Sequence, residues 1–445
     1  MLFRQVLHED LGCASYVIAD GGEAAVVDPK WEIEDYLAIA AEQELVIANV
    51  LETHTHADHV SGRGRLVAAT RATHRPLGDG DTWEFGKARI TAVATPGHRP
   101  EHLAFLVADT TRSDEPWLVL TGDSLFVGDV GRPDLAVDPE EGAHGLFHST
   151  RRLLELDDVT ELWPGHIGGS LCGGSGMSMK PSSTIGFERR TNELLGLEEN
   201  EFVERLTSER EPQPPNFERI VELNRDPPSE AVQLEPLVPK RALELVQDGA
   251  TLIDGRDPRE FDAAHPPGAL NVTMTHTGVG TRAAWVVDPE SEVVLLAASD
   301  GDAQRLGRLL EAVGFRKLCG YVAGGIGALR SEHLETRSTP ALDVKGLAER
   351  LWAGDAVLLD VREGNEWEEG HVEGSLHVPY HDLHNGLPNE IRKAGKPLAV
   401  ACSAGNRSSL AASLLERAGI QEVLHVADGG VEDLADHGIE LKNGA

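Results

Sequence analysis

The chain has 445 residues, 40% hydrophobic and 26% charged, which is a globular composition too long for one ordinary core and sized for roughly two to four domains. Seventy-four acidic residues against 40 basic ones leave a formal charge of −34, a surface that repels nucleic acid and anionic membrane and argues against both as partners. MLFRQVLHEDLG lacks the apolar core of a secretory leader, and runs such as 293-VVLLAA-298 are too short to span a bilayer. Four scattered cysteines (Cys13, Cys172, Cys319, Cys402) form no CxxC pair and no disulfide framework. The expected setting is the cytoplasm, with reduced thiols. Oligomeric state is left open, and a homo-oligomer is compatible with the sequence.

From the N-terminus, 14-ASYVIAD-20, 24-AAVVD-28 and 46-VIANVLE-52 read as buried strands, and 32-EIEDYLAIAAEQEL-45 has helical apolar spacing. Next comes 52-ETHTHADHVSG-62, with three histidines and an aspartate between His54 and His59. On an extended strand end His54 and His56 point the same way. Asp58 and His59 then lie across a turn into a helix expected to start near 57-ADHVSGRGRL-66. Strands 89-RITAVATP-96, 103-LAFLVAD-109 and 117-WLVLTGD-123 put His98 and Asp123 in loops at strand ends, where α/β layers carry chemistry. Two Pro-Gly-His turns, 95-TPGH-98 and 163-WPGH-166, hold His98 and His166 on stiff backbone and so lower the ordering cost of binding a metal.

The Pro- and charge-rich stretch 207–239, with one short helical run inside, reads as the exit from a first domain. Behind it lies an internal repeat. 252-LIDGRDPREFDAAHPPGALNV-272 matches 358-LLDVREGNEWEEGHVEGSLHV-378, and 309-LLEAVGFRKLCGYVAGGI-326 matches 414-LLERAGIQEVLHVADGGV-431. Each copy has the strand–helix rhythm of a small parallel α/β domain. The expected boundaries are 1–235, 236–336 and 337–445.

Imidazole and carboxylate are the ligands of first-row divalent metals. Through THTHADH, TPGH, TGD and PGH in that order, residues 1–235 resemble the metallo-β-lactamase fold superfamily. The resemblance implies an αββα sandwich with metal at the open edge of its sheets. Its glyoxalase II branch implies two zinc ions, one on His54, His56 and His98, the other on Asp58, His59 and His166, with Asp123 bridging. Its persulfide dioxygenase branch implies one Fe(II) per chain on His54, His98 and Asp123. That triad leaves three positions for substrate sulfur and O2, while His56, Asp58, His59 and His166 orient the ligands. Ligand residues alone do not separate the branches. 122-GDSLFVGDVGRPDL-135 resembles the dioxygenase pattern, with Arg132 beside Asp134 supporting a substrate site, although Pro133 replaces the threonine of glutathione-using members. The segment 168-GGSLCGGSGMSMKPSSTIGFERRTN-192 resembles the lining of that family's substrate cleft, and Cys172 and Cys13 are expected to be structural.

In the second repeat, 402-CSAGNRS-408 lies between strand 397-PLAVA-401 and helix 408-SSLAASLLERAG-419. A cysteine there meets loop amides and the positive end of a helix dipole, both of which favour an anionic sulfur, and Arg407 adds a cation. The repeat resembles rhodanese domains. That implies Cys402 as sulfur-carrying nucleophile, with Ser403, Ala404, Gly405 and Asn406 framing the substrate. Four residues between Cys and Arg, rather than the five of cysteine-dependent phosphatases, suit a persulfide better than a phosphoryl group. In the first repeat Ala297 replaces the cysteine and the loop reads 297-AASDGD-302, so no transferase activity is expected of it and Cys319 is not its nucleophile.

The fusion favours Fe(II)-dependent oxidation of a small thiol persulfide by O2 to sulfite, coupled to sulfur transfer at Cys402 that can release thiosulfate. The alternatives are a dinuclear zinc thioester hydrolase with an accessory sulfurtransferase, and a polysulfide-binding or sensing protein without turnover.

Overall fold

The computed structural model describes every residue except Gly169, Leu171, Ser175, 209–211 and Ala445. Parts of the 168–192 segment and of the 207–239 stretch therefore lie outside the described residues. Short apolar runs separated by glycine and charge build two sheets in the first part of the chain. Strands β1 (Leu2–His8), β2 (Cys13–Asp20), β3 (Glu23–Val27), β4 (Val46–Leu51) and β5 (Thr73–His74) lie side by side in that order. The second sheet contains β6 (Thr82–Phe85), β7 (Ala88–Ala94), β8 (Leu103–Asp109), β9 (Leu118–Gly122), β10 (Glu161–Pro164) and β11 (Ser183–Thr184), again in chain order.

The inner faces share one core. Tyr16, Ile18, Val27 and Leu51 meet Ile90, Phe105, Val107 and Leu120. Each large side chain fully buried there contributes about 1.5–3 kcal/mol. Helix Glu34–Glu42 covers the first sheet through Tyr36, which packs with Val17, Val26 and Val50. Helix Pro139–Leu153 covers the second through Leu146 and Leu153. It starts where it does because the Asp138 side chain accepts from the Glu140 amide and proline opens the first turn, and Arg151 and Arg152 complement its C-terminal dipole. The result is an αββα sandwich.

Two elements depart from the sequence reading. The helix expected near residue 57 begins at Arg63. Residues 57–62 stay a loop because Gly62 lies so close to the Lys30 carbonyl that no Cβ would fit, and because Asn224 Oδ1 takes the Ser61 amide at 2.8 Å. The N-terminal dodecapeptide, read only for a leader, supplies β1.

The internal repeat folds as two parallel sheets. The first contains β12 (Pro236–Leu237), β13 (Thr251–Asp254), β14 (Leu270–Asn271), β15 (Val293–Leu296) and β16 (Leu318–Val322), in the order β12-β16-β15-β13-β14. The second contains β17 (Ala341–Asp343), β18 (Val357–Asp360), β20 (Leu376–His377), β21 (Leu398–Ala401) and β22 (Val423–Asp428), in the equivalent order β17-β22-β21-β18-β20; the short β19 (His371–Val372) pairs outside it with Leu441–Lys442. β15 and β21 are buried at every residue, as parallel strands covered on both faces must be. The repeated Asp-x-Arg folds identically in both copies. Arg362 forks onto Asp360, with Nε at 3.0 Å, and donates to the Gly370 carbonyl at 2.7 Å, while Arg256 pairs with Asp254 and donates to Ala264 at 2.9 Å.

The chain divides into two compact units, Met1–Ala231 with Glu311–Gly314, and Val232–Leu310 with Phe315–Ala445, so both repeat copies share one unit. Among the described residues no helix is long and apolar enough to cross a membrane.

Candidate metal centre and thiol loop

The ends of β3, β4, β7, β9 and β10 bring His54, His56, Asp58, His59, His98, Asp123 and His166 together in the first unit, each at most 9% exposed. Hydrogen bonding fixes which ring nitrogens are free. The Arg132 carbonyl can only accept, so His98 Nδ1, 3.0 Å away, carries the proton and Nε2 keeps its lone pair. The Thr53 hydroxyl donates to Asp28 Oδ2 at 2.8 Å, so toward His54 Nδ1, at 2.9 Å, it accepts. His54 Nε2 is thereby left as a lone pair. His102 completes the set, accepting the Asp123 amide at Nε2 (2.9 Å) and meeting Thr95 Oγ1 through Nδ1 (2.8 Å).

His54 Nε2 and His98 Nε2 lie 3.8 and 3.5 Å from Asp123 Oδ2. Both nitrogens and both Asp123 oxygens are buried without a hydrogen-bond partner, as are His56 Nδ1 and His59 Nε2, and His166 Nε2 stands 3.2 Å from Asp123 Oδ2. Such groups cost about 1–3 kcal/mol each when left unsatisfied, and a cation among them offsets that cost. Neutral imidazoles beside a carboxylate are the donor set of a divalent metal, and these residues fit one. Burial pushes His54 and His98 below the ordinary imidazole range, and His102 down to about 3. Burial opposes ionisation of Asp123 too, but the adjoining His166 holds its carboxyl well below the usual range.

The remaining donors form overlapping groups, His56–Asp58–His59, Cys13–Asp58–His166 and Asp123–His166–Cys172, with the ligand atoms of each group within 4.8 Å of one another. Several of these atoms already have partners. His56 Nε2 lies 3.2 Å from Asp28 Oδ1, which outweighs burial and pushes this ring up to about 9. Cys13 Sγ donates to Asp58 Oδ2 at 3.1 Å, and His166 Nδ1 meets Ser170 Oγ at 2.8 Å. Burial raises Cys13 well above the ordinary thiol range and Cys172 to about 12. Glycines permit this crowding. A Cβ on Gly165 would overlap Asp123 Oδ1, and one on Gly122, at φ +50°, would come within 2.6 Å of His102 Nε2.

Arg132 forks onto Asp134 through Nε (2.7 Å) and NH2 (2.9 Å). Both line a cleft of about 650 Å³ with Gly131, Gly173, Gly174 and Gly176, the last three from the 168–192 segment.

In the second unit Cys402 follows β21 directly and is 1% exposed. The Gly405 and Ser408 amides point at its sulfur from 3.2 and 3.4 Å, at the start of helix Asn406–Arg417. Gly405 adopts φ +86° to make this turn. Ala404 is exposed at the loop tip, and Asn406 Oδ1 lies 4.0 Å from the sulfur. Arg407, expected to add a cation to this loop, has a carboxylate partner that the sequence did not announce. Its guanidinium is held by Glu366 at 2.5 and 2.7 Å and reaches Ser403 Oγ at 3.0 Å. In the first copy Ala297 occupies the position after β15, Asp300 accepts the Gly324 amide at 3.1 Å, and Asp302 accepts from Ser299 at 2.6 Å.

The sequence reading missed Asp28, His102, Asn224 and Glu366. Asn224 Nδ2 donates to the carbonyls of His56 (2.9 Å) and His59 (2.8 Å), pinning the histidine loop from 168 residues away. Only Asp28 left a trace, as a charged residue closing an apolar strand.

Residues 8–118 match the model of the metallo-beta-lactamase superfamily, and residues 238–332 and 343–437 each match that of the rhodanese-like domain. The chain is 27% identical over 243 residues to the mitochondrial persulfide dioxygenase ETHE1 of Mus musculus, across 50% of this chain and 87% of that protein. It is 33% identical over 158 residues to the hydroxyacylglutathione hydrolase of Gloeobacter violaceus, across 32% of this chain and 58% of that one. The crystal structure of a metallo-beta-lactamase from Staphylococcus aureus subsp. aureus COL superposes on 73% of this chain and 98% of its own, with 26% identity and a TM-score of 0.64.

Proposed function

The chain belongs to the metallo-β-lactamase superfamily through its N-terminal domain and continues into two rhodanese-like domains, and from that premise we propose that it oxidises a low-molecular-weight thiol persulfide. The balanced reaction is RSSH + O2 + H2O giving RSH, sulfite and two protons, and Cys402 carries sulfane sulfur to or from that chemistry. The observation that carries this reading is the triad His54, His98 and Asp123, whose inward-facing atoms are buried without a hydrogen bond, in a domain 27% identical to a persulfide dioxygenase. His56 Nδ1 and His59 Nε2 are buried without a hydrogen bond as well, so the choice of one cation over two rests on the likeness to the persulfide dioxygenase. A ferrous ion held there supplies open coordination positions and the redox chemistry that joins persulfide sulfur to O2.

The chain's own residues do the rest. Asp28 and Thr53 set the His54 tautomer, the Arg132 carbonyl sets that of His98, and His102 anchors the Asp123 backbone. Arg132 and Asp134 shape the cleft in which the thiol carrier lies. At Cys402 the Gly405 and Ser408 amides stabilise negative charge on sulfur. The modules 1–235, 236–336 and 337–445 are then an oxygenase, a partner with Ala297 at the nucleophile position, and a sulfurtransferase.

A second reading, thioester hydrolysis by two zinc ions, is favoured by the His56–Asp58–His59 group and by the likeness to hydroxyacylglutathione hydrolase. Persulfide-dependent oxygen uptake by the iron-loaded chain, with sulfite as product, is the expected result. Thioester cleavage without oxygen uptake would overturn the first reading in favour of the second.

A further inference from the structure

Strand alternation turns Leu424 and Val426 of β22 toward the apolar Val344, Leu347 and Ala348, and turns His425 the other way. There His425, 0% exposed, meets a carboxylate from the other repeat copy: its Nδ1 lies 2.7 Å from Asp262 Oδ2. Its Nε2 lies 3.2 Å from Ser408 Oγ, and Cys402 Sγ donates to that same hydroxyl from 3.4 Å. Four buried groups thus connect Asp262, His425, Ser408 and Cys402 in a line.

We propose that Asp262, from the copy with Ala297 in place of the nucleophile, is a positioning residue for Cys402, acting through His425 and Ser408 as a proton relay. The inference rests on reading Cys402 as the sulfur carrier and gives the copy without the nucleophile a task in that chemistry.

The geometry supplies both end states. A carboxylate can only accept, so His425 Nδ1 carries the proton, while Nε2 stands between the Ser408 hydroxyl (3.2 Å) and the Gly405 carbonyl (3.0 Å) and so offers its lone pair to the first in the neutral ring and a proton to the second in the charged one. The Gly405 and Ser408 amides at the sulfur are donors, and at 1% exposure Cys402 does not release its proton to bulk water directly. The Ser408 hydroxyl is the nearest acceptor among the described contacts. The step Cys402–SH + His425 gives Cys402–S⁻ + His425–H⁺. The new Nε2–H has an acceptor waiting in the Gly405 carbonyl at 3.0 Å, and Ser408 can turn to the Val426 carbonyl at 3.3 Å. The imidazolium is then paired with Asp262. Attack follows as Cys402–S⁻ + R–S–SH giving Cys402–S–SH + RS⁻. One S–S bond forms, one breaks with its electron pair leaving on the thiolate, and no oxidant or reductant enters.

The other elements packed on His425 present no competing charge: β17 pairs through the backbone of Ala341, β21 through the apolar Val400, and helix Val344–Ala353 covers the opposite face of β22. Asp262 and Cys402 are the ionisable groups that face it among the described contacts. The contact is also one-way, since in the repeat register Asp262 corresponds to Glu368 and His425 to Gly320. The spacing is held by Ser409 donating to Asn271, by the Asn271 amide on Ser413 Oγ (3.2 Å), and by Glu416 taking Thr339 (2.6 Å) and His265 (3.1 Å).

The test is the rate of iodoacetamide alkylation at Cys402 in the full chain, followed by peptide mass spectrometry from neutral to alkaline pH, alongside thiosulfate:cyanide sulfur transfer. Asp262→Asn is expected to slow both about tenfold at neutral pH and to move the alkaline rise of alkylation up by about one pH unit, with rates converging at high pH. Ser408→Ala, which leaves the Asp262–His425 pair intact, is expected to do the same. Variants that melt earlier but keep the wild-type pH profile at Cys402 would reduce Asp262 to a structural tether and overturn the proposal. Wild-type chain that transfers no sulfur, while Cys402 alkylation still responds to Asp262→Asn, would remove the sulfur-carrier reading and leave the relay standing.

Discussion

Asp28→Asn should cost the N-terminal domain its metal without removing a ligand. Asp28 Oδ1 accepts from the Thr53 amide (2.7 Å) and lies 3.2 Å from His56 Nε2, and Oδ2 accepts the Thr53 hydroxyl (2.8 Å). Asparagine must keep its one oxygen toward the backbone amide, because an N–H cannot accept. Its NH2 group then faces Thr53 Oγ1 and turns that hydroxyl from donor to acceptor. The Thr53 proton swings to His54 Nδ1, 2.9 Å away, and forces the imidazole proton onto Nε2, where the lone pair had faced Asp123. Loss of such an orienting partner weakens metal binding about 10–100-fold, roughly 1.4–2.7 kcal/mol. The assay is chelator competition on the metal-loaded chain, with folding followed by circular dichroism. A folded Asp28→Asn protein with wild-type metal affinity would refute the tautomer argument.

Gly165→Ala places a methyl on Asp123 Oδ1 and should lower metal content and stability, by about 1–3 kcal/mol in a denaturant melt; a wild-type melt would show that the turn can shift aside. Cys402→Ser should abolish thiosulfate:cyanide sulfur transfer while persulfide-dependent oxygen uptake continues, and retained transfer would identify another carrier. Glu366 gives a pH test. Burial opposes its ionisation, but Arg407 holds the carboxyl down at about 2 from an ordinary 4.5. A depressed folded value contributes stability above the unfolded pKa, lost as pH falls through the folded one. Glu366→Gln should therefore flatten the acid dependence of the melting temperature between those values, and an unchanged acid limb would contradict the pairing.

The order of the layers and the paired copies were readable because apolar periodicity and the repeat are local signals. His54, His56, Asp58 and His59 were readable because they share one loop, and His98, Asp123 and His166 because each closes a strand. What escaped was whatever acts through a contact distant in sequence. His102 stands in an ordinary turn and matters only because its Nε2 receives the Asp123 amide. Asn224 sits in a charged helix that looks like a surface element until its amide reaches the histidine loop. Glu366, the partner of Arg407, escaped because nothing near Arg407 in sequence announces a carboxylate 41 residues earlier. The misplaced start of the helix at Arg63 has the same origin, since only the approach of Lys30 and Asn224 keeps residues 57–62 out of it.

The most direct measurement loads the full chain anaerobically, determines metal per chain by elemental analysis, and records oxygen consumed by that same sample when glutathione persulfide is added. The account predicts one iron per chain and one O2 per persulfide. Two zinc ions per chain with thioester cleavage and no oxygen consumption would contradict it.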